Sequence, residues 1–289
     1  MTAPSERSDV IIETMSSFGP TVSASWLAEH LYDDDLVVVD SRWSLNDGPG
    51  RDAYAQAHIA TAVFADLDLD LSAPPSVEAG RHPLPTPEAF ADSMSRLGIG
   101  DSTRVVVYDD AAGLIAARLW WMLDVLDRQA AVLDGGLTAW TGPMATGPSE
   151  SAPAGFSVTP WPANRVISKL DLAASLGQGV PILDARAPDR YANGGPVDPR
   201  PGHVPGAINA PAGANLGDGC FRDADELAAH YEALGADGDD VVAYCGSGVT
   251  ACADLLGRRL AGLPDARLFV GSWSQWGADE TLPTETGAG

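Results

Sequence analysis

Short apolar runs alternate along the chain with segments in which apolar residues recur every three or four positions. Val105–Tyr108 is apolar throughout, which is typical of a strand buried on both faces of a parallel sheet. Ala89–Leu97 and Asp225–Leu234 show the second pattern, which predicts amphipathic helices. The alternation predicts an α/β fold in which parallel strands are joined by helices that flank the sheet.

This pattern occurs twice. Val132–Trp140 is similar to Leu268–Trp276, and the two segments lie 136 residues apart. A repeat without gaps over this length indicates a tandem duplication. We therefore expect two domains, at 1–140 and 165–289, and between them a linker at 141–164, which is rich in Gly, Pro, Ser and Ala.

Cys245 ends one of the apolar runs, and a glycine-rich loop and a predicted helix follow it. Backbone N–H groups of such a loop, together with the positive end of the helix dipole, favour the anionic form of sulfur. Cysteines in such settings have pKa values of roughly 3.5 to 7.5, against about 8.5 for a free cysteine. We predict that Cys245 is a nucleophile; the alternative is a buried packing residue. The loop residues expected to contact the substrate are Gly246, Gly248, Val249 and Thr250.

The duplication separates residues needed for the fold from residues needed for chemistry. Asp109 occupies the position of Cys245 in the first half, at the same separation of 136 residues. A carboxylate cannot act as a sulfur nucleophile, so only the second half is expected to be active. Arg42 and Arg186 follow an aspartate in both halves, and we expect them to tie strand ends to neighbouring carboxylates.

Two arginines lack counterparts in the first half. Arg200 lies in a segment that is longer in the second half, and Arg190 lies just before it. A pair of guanidinium groups can hold a small carboxylate by bidentate, charge-assisted hydrogen bonds. The alternative is that both side chains are solvated at the surface.

The formal net charge is −23, and Lys169 is the single lysine. Nucleic acid is therefore not an expected partner, because phosphate binding requires clustered basic residues. No apolar run approaches the roughly 18 residues of a membrane span, and no signal-peptide core is present, so we expect a cytoplasmic protein without a membrane partner. Three cysteines without zinc-site spacing predict reduced thiols. Cys220 and Cys252 are expected to be structural.

Together, these features resemble the tandem rhodanese sulfurtransferases over nearly the whole chain. The loop Cys245–Ala251 and the segment Gly271–Gly277 are similar to the branch that uses 3-mercaptopyruvate; the thiosulfate branch typically has Arg-Lys after the cysteine. The resemblance implies two rhodanese-like domains, the first one inactive. It also implies that Cys245 accepts sulfur and that Arg190 and Arg200 anchor the carboxylate and keto groups of the donor.

The resemblance further implies a relay of three side chains, Asp52, His58 and Ser247, with the Ser247 hydroxyl near the transferring sulfur. The chain departs from the family pattern around His58, which lacks the usual Pro-Gly turn after it. His58 also has a counterpart in His203 of the second half. A turn-fixing role for His58 is therefore the alternative to a catalytic one.

The reaction implied by the resemblance moves sulfur from 3-mercaptopyruvate onto Cys245 as a persulfide and releases pyruvate. The acceptor would be thioredoxin, a small-molecule thiol or cyanide, and no metal or organic cofactor is required. Thiosulfate as donor is the nearest alternative, and a non-catalytic sulfur carrier or interaction module is another. A cysteine phosphatase is disfavoured, because the stretch after the loop lacks the arginine that clamps phosphoryl oxygens.

Overall fold

The computed structural model describes residues 18–149 and 151–287. The first half contains two-residue and longer strands, interspersed with helices of four to ten residues. Its strands and helices are, in chain order, β1 (Thr21–Val22), α1 (Ala24–His30), β2 (Leu36–Asp40), β3 (Trp43–Ser44), β4 (Gly48–Pro49), α2 (Arg51–Gln56), β5 (His58–Ile59), β6 (Val63–Phe64), α3 (Pro87–Arg96), β7 (Arg104–Tyr108), α4 (Ala117–Asp124), β8 (Ala130–Leu133), α5 (Gly136–Ala139) and β9 (Met144–Ala145).

The second half repeats the arrangement with shorter strands. Short 3₁₀ turns occur at Ala163–Arg165 and Ala212–Asn215. The strands and helices are α6 (Lys169–Ser175), β10 (Ile182–Asp184), α7 (Pro188–Asn193), β11 (Ile208–Asn209), β12 (Leu216–Gly217), β13 (Cys220–Phe221), α8 (Ala224–Ala233), β14 (Val242–Tyr244), α9 (Ala251–Leu260), β15 (Arg267–Leu268) and α10 (Ser272–Trp276).

Each half is built on a parallel sheet, as the apolar runs predict. The strand order is β1-β8-β7-β2-β6 in the first half and β11-β10-β14-β15 in the second, and every pairing within these two sheets is parallel. The strands β7 and β14 lie inside their sheets and end at Tyr108 and Tyr244. Asp109 and Cys245 therefore follow the carboxyl ends of equivalent inner strands, where ligands bind in open α/β sheets.

The arginine two residues after the aspartate that ends β2, and the one two residues after the aspartate that ends β10, are held as expected. Arg42 donates from Nε and Nη2 to Asp40 at 2.9 and 2.6 Å, and Arg186 makes the same contacts with Asp184 at 3.0 and 2.6 Å. All four side chains are buried. A buried ion pair of this kind fixes the backbone that leaves the strand, because neither charge can be solvated elsewhere.

The two halves pack through their central helices. Every residue from Ala117 to Leu123 in α4 and from Ala251 to Arg258 in α9 is buried, and the two helices are in contact. Burial on all sides over about two turns places both helices in the interior of the protein. The first half is therefore placed directly behind the helix that begins after the Cys245 loop. No helix within 18–149 and 151–287 is long and apolar enough to cross a membrane.

Replacement of Asp40 by alanine tests the strand-end ion pair. The change leaves the Arg42 guanidinium buried without its carboxylate, so we expect the free energy of unfolding to fall by about 3–5 kcal/mol, measured by denaturant titration. The control is Asp35→Ala, which removes a carboxylate from Arg104 at a side chain that is 61% exposed. A much smaller loss is expected there. Equal losses in the two variants would contradict this role of the buried pair.

Candidate active site

Cys245 lies between β14 and α9, almost completely buried, with 2% of its surface exposed. The Gly248 N–H donates to its Sγ at 3.2 Å. The helix begins at Ala251, so its positive end lies close behind the loop. The local structure is the one that stabilises a sulfur anion, since a hydrogen-bond donor faces the sulfur in a site nearly closed to water.

Two glycines of the loop are needed for different reasons. Gly248 has φ +80°, and a Cβ there would collide with the Val270 carbonyl oxygen. A Cβ on Gly246 would instead lie 2.9 Å from Nη2 of Arg190 and 3.0 Å from Nη2 of Arg81. Gly248 therefore permits the loop conformation, whereas Gly246 leaves space beside two guanidinium groups.

Ser272 holds the strand end from the other side. It adopts a left-handed backbone conformation, with φ 52°, which costs a non-glycine residue about 1–3 kcal/mol. Its Oγ accepts the Cys245 N–H at 3.1 Å and donates to the Phe269 carbonyl at 2.9 Å. The equivalent position in the first half is Gly136, with φ 58°. A strained serine in place of glycine gives Cys245 a fixed backbone partner.

The first half contains an equivalent loop around a buried carboxyl group. The carboxylate of Asp109, which is fully buried, accepts N–H groups from the loop and from the turn before α4. These four donors are Ala111 at 2.8 Å and Gly113, Ile115 and Ala116 at 2.7 Å. Burial raises the pKa of Asp109 and these backbone donors oppose that shift, so the loop of this half is able to surround a carboxylate with backbone amides.

The structure places the two predicted arginines in different contacts. Arg190 lies beside Gly246 and is held by Asp198, with Nε–Oδ2 and Nη2–Oδ1 distances of 3.1 and 2.5 Å. Arg200 instead donates to the carbonyl oxygens of Asp279 and Leu282, both at 2.9 Å. Its guanidinium therefore holds the C-terminal segment, and the role expected for Arg200 at the donor stays a prediction.

Arg81, from the first half, is the second guanidinium at Gly246. Its backbone N–H donates to Ser274 Oγ at 3.0 Å, its Nη1 donates to the Val197 carbonyl at 3.0 Å, and its buried Nε has no partner. Burial and the neighbouring Arg190 lower the pKa of Arg81. A pair of guanidinium groups destabilised by burial and mutual repulsion is stabilised by an incoming anion.

The partner of Ser247 is His82, also from the first half. His82 Nδ1 lies 2.8 Å from Ser247 Oγ, and its Nε2 lies 3.1 Å from Asp68 Oδ1. Burial, followed by the charges of Arg118 and Arg81, lowers the pKa of His82 to about 3. The imidazole is therefore neutral at physiological pH, and with Asp68 ionised, Nε2–H donates to Asp68 while Nδ1 accepts the Ser247 hydroxyl proton.

Asp52 and His58, which the sequence placed in this relay, lie elsewhere. Asp52 is exposed in the first turn of α2. His58 Nδ1 bonds the Tyr54 carbonyl at 2.8 Å, and its ring stacks on Tyr54 at 4.0 Å. His203 repeats this arrangement in the second half, with ring centroids 3.7 Å apart from those of Tyr191. A histidine that appears in both halves fixes a turn, and the relay expectation is corrected to Asp68, His82 and Ser247.

Other groups lie around this centre. Cys252, the second residue of α9, is fully buried, and burial raises its pKa to about 12. Trp43 meets the His82 ring edge-on at 5.3 Å. In the described ranges, no group of three or more His, Cys, Asp or Glu residues could hold a metal ion. A cavity of about 350 Å³ opens beside the relay, lined by Asp68, Ser72, Ala73, Pro75, Arg81 and His82.

Comparison with known proteins shows the family of the chain. The family model for the rhodanese-like domain matches residues 23–143 and 168–279. A probable 3-mercaptopyruvate sulfurtransferase of Pseudomonas aeruginosa is 44% identical over 278 residues, covering 92% of this chain and 98% of that protein. A putative thiosulfate sulfurtransferase of Mycobacterium tuberculosis is 39% identical over 270 residues, covering 88% and 92%. The structure of 3-mercaptopyruvate sulfurtransferase from Leishmania major superposes with a TM-score of 0.78 at 31% identity, covering 89% of this chain and 74% of that one. With both halves matched, the chain belongs to the rhodanese family.

Proposed function

We propose that the protein is a sulfurtransferase that takes sulfur from 3-mercaptopyruvate onto Cys245 and passes it to a thiol. The observation that carries this function is the hydrogen-bonded chain Asp68–His82–Ser247, which ends two residues from Cys245. Transfer from mercaptopyruvate releases a carbon anion that must be protonated, so a proton relay beside the nucleophile has a chemical task. The related protein of Pseudomonas aeruginosa carries the same activity in its name.

The reaction balances without a cofactor. The Cys245 thiolate attacks the thiol sulfur of the donor, the S–S bond forms, and the C–S bond breaks with its electron pair going to carbon as the enolate of pyruvate. The thiol proton of the donor passes through the Ser247 hydroxyl, polarised by His82, to the methylene carbon. The products are pyruvate and a persulfide anion on Cys245. An acceptor thiolate then takes the outer sulfur and regenerates the Cys245 thiolate, which predicts ping-pong kinetics.

The charges at the loop favour a monoanionic donor. Arg190 is already paired with Asp198, so the guanidinium groups at Gly246 leave about one uncompensated positive charge, that of Arg81. A carboxylate matches this charge, and the keto oxygen accepts a further hydrogen bond. Thiosulfate carries two negative charges and leaves as sulfite without requiring a proton, so the relay would have no role with that donor.

We infer the compartment and the sulfur acceptor from the reduced state of the cysteines. Cys220, Cys245 and Cys252 are all free thiols, in keeping with a reducing compartment such as the cytoplasm. We infer that the acceptor is a dithiol protein such as thioredoxin or a low-molecular-weight thiol. A reducing compartment keeps the thiols of such acceptors reduced and able to attack the persulfide.

Comparison of the two donors tests the proposed function directly. We expect kcat/KM with 3-mercaptopyruvate to exceed that with thiosulfate by at least about tenfold, which corresponds to about 1.4 kcal/mol of transition-state preference. Intact-mass measurement after incubation with mercaptopyruvate should show one added sulfur, with pyruvate released. The Cys245→Ala variant is the control and should show neither product. A preference for thiosulfate would refute the assignment of the donor.

The histidines provide a matched pair of variants for the relay. His82→Gln removes the group that polarises Ser247, so we expect kcat/KM with mercaptopyruvate to fall by about a hundredfold, measured by pyruvate release, with a smaller effect on thiosulfate. His58→Gln disturbs the stacked turn on Tyr54 and is expected to lower thermal stability with little loss of turnover. The assignment fails if His58→Gln impairs turnover as strongly as His82→Gln.

The loop glycines distinguish donor binding from loop structure. In Gly246→Ala, the new methyl group meets only the flexible ends of Arg81 and Arg190, so we expect near-normal stability with a KM for mercaptopyruvate raised by about tenfold, or about 1.4 kcal/mol. In Gly248→Ala, strain and the contact with Val270 should lower the free energy of unfolding by at least about 2 kcal/mol. Steady-state kinetics and thermal unfolding measure the two effects. An unchanged KM in Gly246→Ala would argue against a donor site at this loop.

A further inference from the structure

Arg118 connects the first half to the active-site loop. It lies in α4 and is completely buried. Its Nη1 donates across the boundary between the halves to the Gly248 carbonyl at 2.9 Å. Its Nη2 donates to the carbonyl oxygens of His82 at 3.2 Å and Leu71 at 3.4 Å. One guanidinium group therefore touches both the loop that surrounds the nucleophile and the backbone of the relay histidine.

The contact with Gly248 bears directly on the sulfur. The carbonyl of Gly248 accepts from Arg118, and the N–H of Gly248 donates to Cys245 Sγ. A charge-assisted hydrogen bond to the carbonyl restricts rotation of the residue that carries the donor. Arg118 thus acts on Cys245 through one intervening residue.

The charge of Arg118 has no carboxylate to offset it within the described ranges. Its Nη1 and Nη2 donate to carbonyl oxygens, and its buried Nε has no partner among the described residues. A buried guanidinium without a counter-charge is strongly disfavoured. The ionisable groups that bear on its charge are the thiols of Cys252 and Cys245, and burial keeps Cys252 neutral at physiological pH. The available counter-charge is therefore a thiolate or persulfide anion on Cys245.

The repeat shows that only the loop around Cys245 receives a buried guanidinium group from the opposite half. The position 136 residues after Arg118 is Asp254 in α9. Its Oδ1 accepts from Asn215 at 2.7 Å, its Oδ2 has no partner, and burial raises its pKa well above the usual value. The loop that contains Asp109, which carries its own anion, thus has no guanidinium at the equivalent position of the opposite half.

We propose that Arg118 is a positioning residue for sulfur transfer, whose buried positive charge offsets the anion on Cys245 and whose hydrogen bonds hold the Gly248 and His82 backbones. The proposal rests on the proposed function in taking Cys245 as the nucleophile. The first half then contributes a counter-ion for Cys245 as well as the Asp68 and His82 side chains of the relay. Other ionisable groups around Cys245 are Arg81 and Arg190 at Gly246, the neutral His82 at Ser247, and Cys252 in α9.

The test measures the pH dependence of Cys245 alkylation by iodoacetamide, in a Cys220→Ser background, with the product followed by intact mass. In Arg118→Met, we expect the midpoint of the alkylation profile to rise by about one pH unit, which makes alkylation about tenfold slower below the midpoint. Arg118→Lys retains the charge and should keep a midpoint near that of the parent. An unchanged midpoint in Arg118→Met would overturn the proposal.

Arg258→Met is the matched control. Arg258 is also buried, at 1% exposure, and its Nη2 donates to the carbonyl oxygens of Gly238 and Pro264 at 2.7 and 2.9 Å, away from the loop. Its loss should lower stability without moving the alkylation midpoint. An equal shift in Arg258→Met would show a general effect of core damage and would overturn the proposal. Alkylation requires no mercaptopyruvate, so a wrong donor assignment leaves this outcome unaffected.

If Arg118→Met does not fold, the proposal can be tested by removing the anion on Cys245 instead of the cation. Thermal unfolding of the wild-type protein and of Cys245→Ala is compared from pH 5 to pH 9. An anion that offsets Arg118 stabilises the folded state once the thiol ionises, so the advantage of the wild-type protein in Tm should grow with rising pH and disappear as pH falls. A difference in Tm that stays constant over this range would contradict the proposal.

Discussion

The structure depends on stabilising one negative charge at the end of a buried parallel strand. Water is almost excluded there, so the protein itself must supply the donors, and backbone amides of the following loop do so in both halves. In the first half the charge is the Asp109 carboxylate, held by four N–H groups. In the second half the same kind of loop surrounds the sulfur of Cys245, which receives the Gly248 N–H. Unlike the carboxylate, this sulfur can accept a second sulfur atom in the proposed reaction and pass it on to a thiol.

The rest of the active site is assembled across the boundary between the halves. Arg81, His82 and Arg118 come from the first half, whereas Cys245 and Arg190 come from the second. The buried contact between α4 and α9 fixes the position of one half, and of its site residues, relative to the other. In the proposed reaction these donors and charges are already in place when the sulfur anion forms, so they need no reorganisation.

The repeat in the sequence was sufficient to predict the two parallel sheets, the position of Cys245 and the strand-end pairs of Arg42 and Arg186. These features depend on short-range patterns that occur twice. Asp68 and His82 were missed because they lie in an irregular segment between β6 and α3 and act on the opposite half. His58 was chosen in their place because of its motif, although its presence in both halves is what a turn-fixing residue shows. The direction of Arg200 depends on carbonyl groups of the C-terminal segment, and no local pattern encodes such a contact.

The serine at position 272 has a consequence for the energy of the two turns. Glycine at the equivalent position 136 adopts nearly the same φ without strain, so the turn itself does not demand a side chain. Serine at 272 carries a conformational penalty and places one hydroxyl on the Cys245 N–H. The second half therefore gives up part of its folding free energy to hold the strand end that carries the thiol, whereas the first half, with Asp109 there, has the residue that takes this turn without a penalty.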